Sequence, residues 1–191
     1  MKSSPLYTNT DHGALLSVAQ NTIRHGLSKG APASIELDSF SKPLQGQAAS
    51  FVTLKYAGSL RGCIGTLQAI RPLVADVNEN AYAAAFRDPR FTPLSHRELS
   101  ELHISISILS SPEPIRFFSE QDLIGQLRVG IDGLILEEEH HRGTFLPAVW
   151  ESLPDPRAFL TQLKIKAGLR PEYWSSTLSI YRYQTEVIQR D

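Results

Sequence analysis

Only one cysteine, Cys63, occurs in the 191 residues, so no disulfide can form within the chain. Neither sign of charge is in surplus. The 19 Lys and Arg against 20 Asp and Glu leave a formal net charge of -1, and no global field favours nucleic acid or an anionic membrane. Every apolar run falls well short of the roughly 20 residues that a membrane-spanning helix requires. The N-terminus MKSSPLYTNTDHG has no continuous apolar stretch of the kind that marks a secretion signal. Internal repeats and low-complexity tracts are also missing. These absences point to a soluble protein of the reducing cytoplasm that makes no membrane contact. The length suits one substantial core, or one core with a smaller satellite, and one compact unit is expected.

The remaining pattern is regular. Thr10 or Asp11 is placed to cap a helix carrying Leu15, Ala19, Ile23 and Leu27 at helical spacing, with Gly30 just past its end. GAPASIELDSFSKPLQGQ follows and reads as a long irregular surface segment, a flap. SFVTLKY and SLRGCIGTL around AGS form a β-hairpin. Pro72 opens a helix whose buried stripe is Leu73, Val74, Val77, Ala81 and Ala84. FRDPRFTPLSHREL is broken by its prolines. LHISISIL then alternates strictly, with Leu102, Ile104, Ile106 and Ile108 on one face and His103, Ser105 and Ser107 on the other. Ser119 with Asp122 begins a short helix, DGLILEEEHHRGTFL makes two strands around a charged turn, and Asp155 and Pro156 start a helix that Gly168 ends. STLSIYRYQTEVIQR reads as one final strand. Hairpins mixed with separated helices give an α+β fold with a largely antiparallel sheet and flanking helices.

The chemistry centres on LRGCIGT. In an extended segment Arg61, Cys63 and Gly65 share one face, with the Cα atoms of Arg61 and Cys63 roughly 7 Å apart. A guanidinium near the sulfur favours thiolate, which makes Cys63 a candidate nucleophile or ligand contact. Gly62 and Gly65 clear space for a ligand or for another backbone. Inert burial of Cys63 as a small hydrophobe is the alternative. His103 becomes a candidate general base if the polar face of its strand meets Cys63. Arg87, Asp88 and Arg90 lie in a proline-stiffened loop, where arginines bind carboxylate or phosphate and Asp88 holds one of them; the alternative is local pairing, with Phe86 and Phe91 anchoring the loop in the core. Glu137, Glu138, Glu139, His140 and His141 lack metal-ligand spacing, so no metal is assigned, and no cofactor is named. Basic residues are dispersed without a nucleic-acid motif, and Trp150 and Trp174 read as packing residues.

FVTLKYAGSLRGCIGTL, NAYAAAFRDPRFTPL, LHISISILSSPEPI, VGIDGLILEE and HRGTFLPAVWESLPDPRAFLTQLKIKAGL, in that order, resemble the AMMECR-type domain, found in bacteria and archaea as AmmeMemoRadiSam system protein A. The resemblance spans residues 12–188 as a single domain, with residues 1–11 as an N-terminal extension. It implies an α+β fold with a larger and a smaller subdomain, a cleft near the signature heptapeptide, and a Memo-like protein and a radical SAM protein as partners. It implies no reaction. Three functional readings therefore stand: a binder of a small polar or anionic ligand beside LRGCIGT acting as a thiol-dependent enzyme, a non-catalytic protein-interaction or regulatory module, and, most weakly, a nucleic-acid binder.

Overall fold

Helix α1, Asn9–Lys29, begins at Thr8, whose hydroxyl accepts from the Asp11 N–H while the Asp11 carboxylate accepts from the Thr8 N–H. The cap thus lies two or three residues before the Thr10 or Asp11 expected from the apolar spacing, because the reciprocal pair satisfies two otherwise orphaned donors. The helix ends at Gly30 and buries Leu15, Ala19 and Ile23. The computed structural model describes residues 7–189. Residues 1–6 of the expected N-terminal extension lie outside them, as does Arg190 of the expected last strand. Tyr7 is buried in the core.

The chain divides into two compact units, the first running to Leu109 and completed by the segment from Glu186, the second comprising Ser110–Thr185. In the first unit the segment after α1 is tied down rather than free. Ser41 donates to Asp11, Asn78 donates to the Ala33 carbonyl, and a short helix α2, Lys42–Gln45, buries Leu44. The expected surface segment is present, mostly exposed or half-buried, with Leu44 as an apolar anchor and side-chain hydrogen bonds holding it. Strands β1, Ala49–Tyr56, and β2, Ser59–Gly65, form the expected hairpin around Ala57 and Gly58, both at positive φ. Helix α3 covers Leu73–Phe86 and buries the expected apolar stripe, with Pro72 at its cap rather than inside its first turn. β3, Leu102–Leu109, pairs antiparallel with β1, and the strand order of this sheet is β2-β1-β3-β8, where β8 is Thr185–Gln189. Val52, Leu54, Ile106 and Ile108 join α1 and α3 in one core. Thr53, Cys63, His103, Ser105 and Ser107 alternate onto the opposite face, and none of them is fully buried.

The second unit has its own sheet. β4 (Glu113–Pro114), β5 (Gly133–Glu138), β6 (His141–Phe145) and β7 (Ser179–Tyr183) lie in the order β4-β7-β5-β6, all antiparallel. Helices α4, Glu120–Gln126, and α5, Pro156–Lys166, contribute Leu123, Phe159, Leu160 and Leu163 to its core. Trp150 stacks on Phe159 with ring centroids 3.7 Å apart, and its Nε1 donates to the Asp132 carbonyl. The expected single C-terminal strand is two, broken at Gln184, with β7 in this sheet and β8 in the other. The fold is α+β, with a larger and a smaller unit, and no helix among the described residues is long and apolar enough to cross a membrane.

A fully buried carboxylate joins the start of α3 to the hairpin. Asp76 accepts from the Ser50 N–H and hydroxyl, the Thr66 hydroxyl, Arg71 Nε and Asn80 Nδ2. Removing it leaves several buried donors unpaired and Arg71 without its counter-charge. Asp76→Ala is expected to cost about 3–5 kcal/mol in urea unfolding, and Thr8→Ala only about 1 kcal/mol; equal losses would contradict this ranking.

Candidate functional site

The hairpin register decides what surrounds Cys63. Counting back from the turn, Tyr56 faces Ser59 and Lys55 faces Leu60, but Leu54 faces Gly62, so Arg61 is an extra residue without a partner. Such a bulge re-aims its side chain. Arg61 Nε donates to Glu98 Oε1 at 2.6 Å and Nη2 to the Thr92 carbonyl at 2.9 Å. Its remaining nitrogen, Nη1, is buried and has no hydrogen-bond partner among the described residues. The expected pairing of Arg61 with the Cys63 sulfur is therefore corrected: the bulge turns the guanidinium to Glu98.

Past the bulge, Cys63 faces Thr53, and Thr53 in turn faces Ser105 across β1 and β3. The half-buried thiol has one hydrogen-bond neighbour, Thr53 Oγ1 at 3.2 Å from Sγ. On the outer edge of β2 the backbone of Cys63 is met by side chains instead of by a strand. Its N–H donates to Asp88 Oδ2 at 2.9 Å, and its carbonyl accepts from Arg90 Nη2 at 3.2 Å. Asp88 and Arg90 are themselves joined three times, Nε and the backbone N–H of Arg90 donating to Oδ1 and Nη2 to Oδ2. The Asp88 carboxyl is held well below the usual carboxylate range, chiefly by these Arg90 hydrogen bonds, against the opposing effect of burial. The Asp88 side chain is 2% exposed and the Arg90 side chain 53%, so the guanidinium keeps a solvent-facing side. The Phe91 ring lies near both Arg61 and Arg90, with their guanidinium carbons 5.9 Å and 5.4 Å from its centroid.

The two glycines serve packing. A Cβ on Gly62 would collide with the Ala84 carbonyl of α3, and one on Gly65 with the Phe51 ring and the Ser50 carbonyl. Gly62 lets the helix backbone approach β2. The room beside Cys63 that a bare Gly65 was expected to leave is filled by the aromatic side chain opposite it. Arg87 caps the end of α3 and stacks over Tyr82 at 4.8 Å, and no contact joins it to the Cys63 cluster among the described residues. His103 shares the face of Cys63 but faces Lys55, two strands over and two residues along. That offset is about 12 Å between Cα atoms from the sheet spacings, too far for the expected general base. His141 Nδ1 instead lies 3.0 Å from the Ala167 carbonyl.

Thr53 and Glu98 belong to this cluster and went unread in the sequence. The Glu98 carboxyl is lowered to about 2, first by Arg61 and then, against burial, by the Ser95 backbone and hydroxyl. A carboxyl held below its unfolded value stabilises the fold above that value, and the contribution is lost as pH falls. Wild type is therefore expected to lose stability between pH 4.5 and about 2 more steeply than Glu98→Gln. Parallel stability curves for the two proteins in denaturant titrations would contradict the pairing.

Comparison with known proteins places the chain in a family. The AMMECR1 family model matches residues 16–188. A protein of Methanothermobacter thermautotrophicus is 35% identical over 198 aligned positions, covering 100% of both chains. One of Saccharolobus islandicus is 42% identical over 147, and there the match spans 65% of the relative's length and 73% of this chain. The crystal structure of an uncharacterised protein from Pyrococcus horikoshii matches with a TM-score of 0.87 at 31% identity, covering 96% of this chain and 93% of that one. With residues 16–188 matched by the family model and a relative 35% identical over its whole length, the chain belongs to the AMMECR1 family.

Proposed function

We propose that this protein binds a small anionic ligand on the sheet face beside Cys63, with Arg90 as the charge contact and the thiol as the second contact. The observation that carries the reading is the joint placement of a half-buried sulfur and a half-exposed guanidinium at one residue of an edge strand. Asp88 fixes Arg90 from one side, so the fork is preorganised and little side-chain freedom is lost when an anion meets its open side. Arg61, paired to Glu98, positions the loop rather than the ligand. His103 takes no part. The setting is cytoplasmic, and a Memo-like protein and a radical SAM protein are the partners that the family resemblance implies.

Two solvent-exposed apolar side chains near the signature hairpin favour a second reading, a docking module for those partners: Leu60 and Ile70 are 43% and 64% exposed. Co-purification that survives Cys63→Ala but is lost in Ile70→Glu supports that reading in place of the first.

Alkylation by iodoacetamide tests the first. Cys63 is the only thiol, so the rate is read directly from total labelling. The native protein is expected to react faster than the urea-denatured chain at neutral pH, to be slowed by inorganic phosphate or citrate at constant ionic strength, and to lose that protection in Arg90→Gln. A native rate no faster than the denatured control, with no protection by either anion, overturns the proposal.

A further inference from the structure

Beyond the Cys63 cluster, the same face of the first sheet bears a polar depression. It is a cavity of about 370 Å³ lined by Lys55, Gly58, His103, Ile104, Ser105 and Gln189. That volume sits at the small end of the roughly 300–1,000 Å³ typical of ligand pockets. Its floor is rigid, since Lys55, His103 and Ser105 project from two paired central strands and Gly58 from the two-residue turn that closes the hairpin.

The lining is rich in donors and, among the described residues, holds no carboxylate. Lys55 offers three N–H donors and no acceptor, Ser105 a hydroxyl and Gln189 an amide. His103 brings an N–H donor when neutral and a second cation when protonated. Lys55 and His103 face each other directly across the ladder. Groups of like charge in that position destabilise a sheet unless an anion lies between them. Neither side chain has a hydrogen bond or ion pair among the described residues. Within the row Cys63, Thr53 and Ser105, Ser105 lines this pocket and Thr53 stands between it and Cys63.

We infer that the Lys55, His103 and Ser105 cavity is a second anion site, taking the phosphate or carboxylate group of a metabolite-sized ligand. One lysine with the donors of His103, Ser105 and Gln189 in one depression, without a continuing basic stripe, suits a single oxyanion rather than a polymer backbone. The site does not depend on Cys63 and stands whether or not the thiol reading survives.

Nuclear magnetic resonance of the full chain tests it, with the His103 ring signal assigned by its loss in His103→Gln. Inorganic phosphate and, separately, citrate are added at constant ionic strength against chloride. A saturable shift of the His103 signal with either anion is expected, and the one that saturates names the group. Lys55→Glu should weaken binding by about tenfold, the order set by exchanging an attraction for a repulsion near a surface. Lys55 is exposed, so the variant keeps its fold, checked by circular dichroism. Non-saturating shifts with both anions, or equal binding by Lys55→Glu, overturn the inference. So does a short single-stranded oligonucleotide that binds through Lys55 where phosphate and citrate do not.

Discussion

The outer edge of β2 is the constraint around which this site is arranged. An edge strand presents unpaired N–H and C=O groups, which invite pairing with another chain unless something covers them. At Cys63 the cover is a carboxylate and a guanidinium from the loop after α3, the first taking the N–H and the second giving to the carbonyl. Pro89 holds the two side chains one residue apart, and their mutual hydrogen bonds lock the pair. The loop behaves as a fragment of strand built from side chains. One residue of β2 is thereby fixed in place through its backbone, while its half-buried thiol lies against Thr53.

That arrangement accounts for several residues that would otherwise look like unrelated polar choices. Gly62 allows α3 to pack against β2, which brings the end of the helix, and so the loop, up to the strand. The bulge at Arg61 supplies a second tie, to Glu98 and the Thr92 carbonyl, and Phe91 sits near both guanidiniums. Farther along, Asp76 gathers Ser50, Thr66, Arg71 and Asn80, fixing the ends of the hairpin strands away from the turn to the first turns of α3. With strand and loop rigid, the remaining freedom at the site belongs to the thiol and to the open side of Arg90.

Much of the fold was legible because it follows periodicity. The strict alternation of LHISISIL placed Ile106 and Ile108 in the core and His103 and Ser105 on the polar face, and the 3.6-residue spacing of Leu73, Val77, Ala81 and Ala84 gave α3 its buried side. Register was not legible. A regular hairpin around AGS pairs Thr53 with Gly62, whereas the one-residue bulge at Arg61 brings Thr53 to Cys63 and turns the arginine away. Nothing in SLRGCIG itself marks which residue is extra. The Asp76 hub was hidden for a different reason, since its donors stand at positions 50, 66, 71 and 80 and meet only after folding. The family resemblance implied a larger and a smaller unit, but none of the side-chain pairings.

Hydrogen exchange at the Cys63 amide reports on the edge clamp most directly, because this proton has one acceptor, the Asp88 carboxylate. In wild type it should exchange slowly, although it lies on an edge strand. In Asp88→Ala its protection should collapse while the amides that pair β1 with β3 keep theirs. Unchanged slow exchange at Cys63 in that variant would show that the carboxylate does not cover the strand, and the account of the site would fail with it.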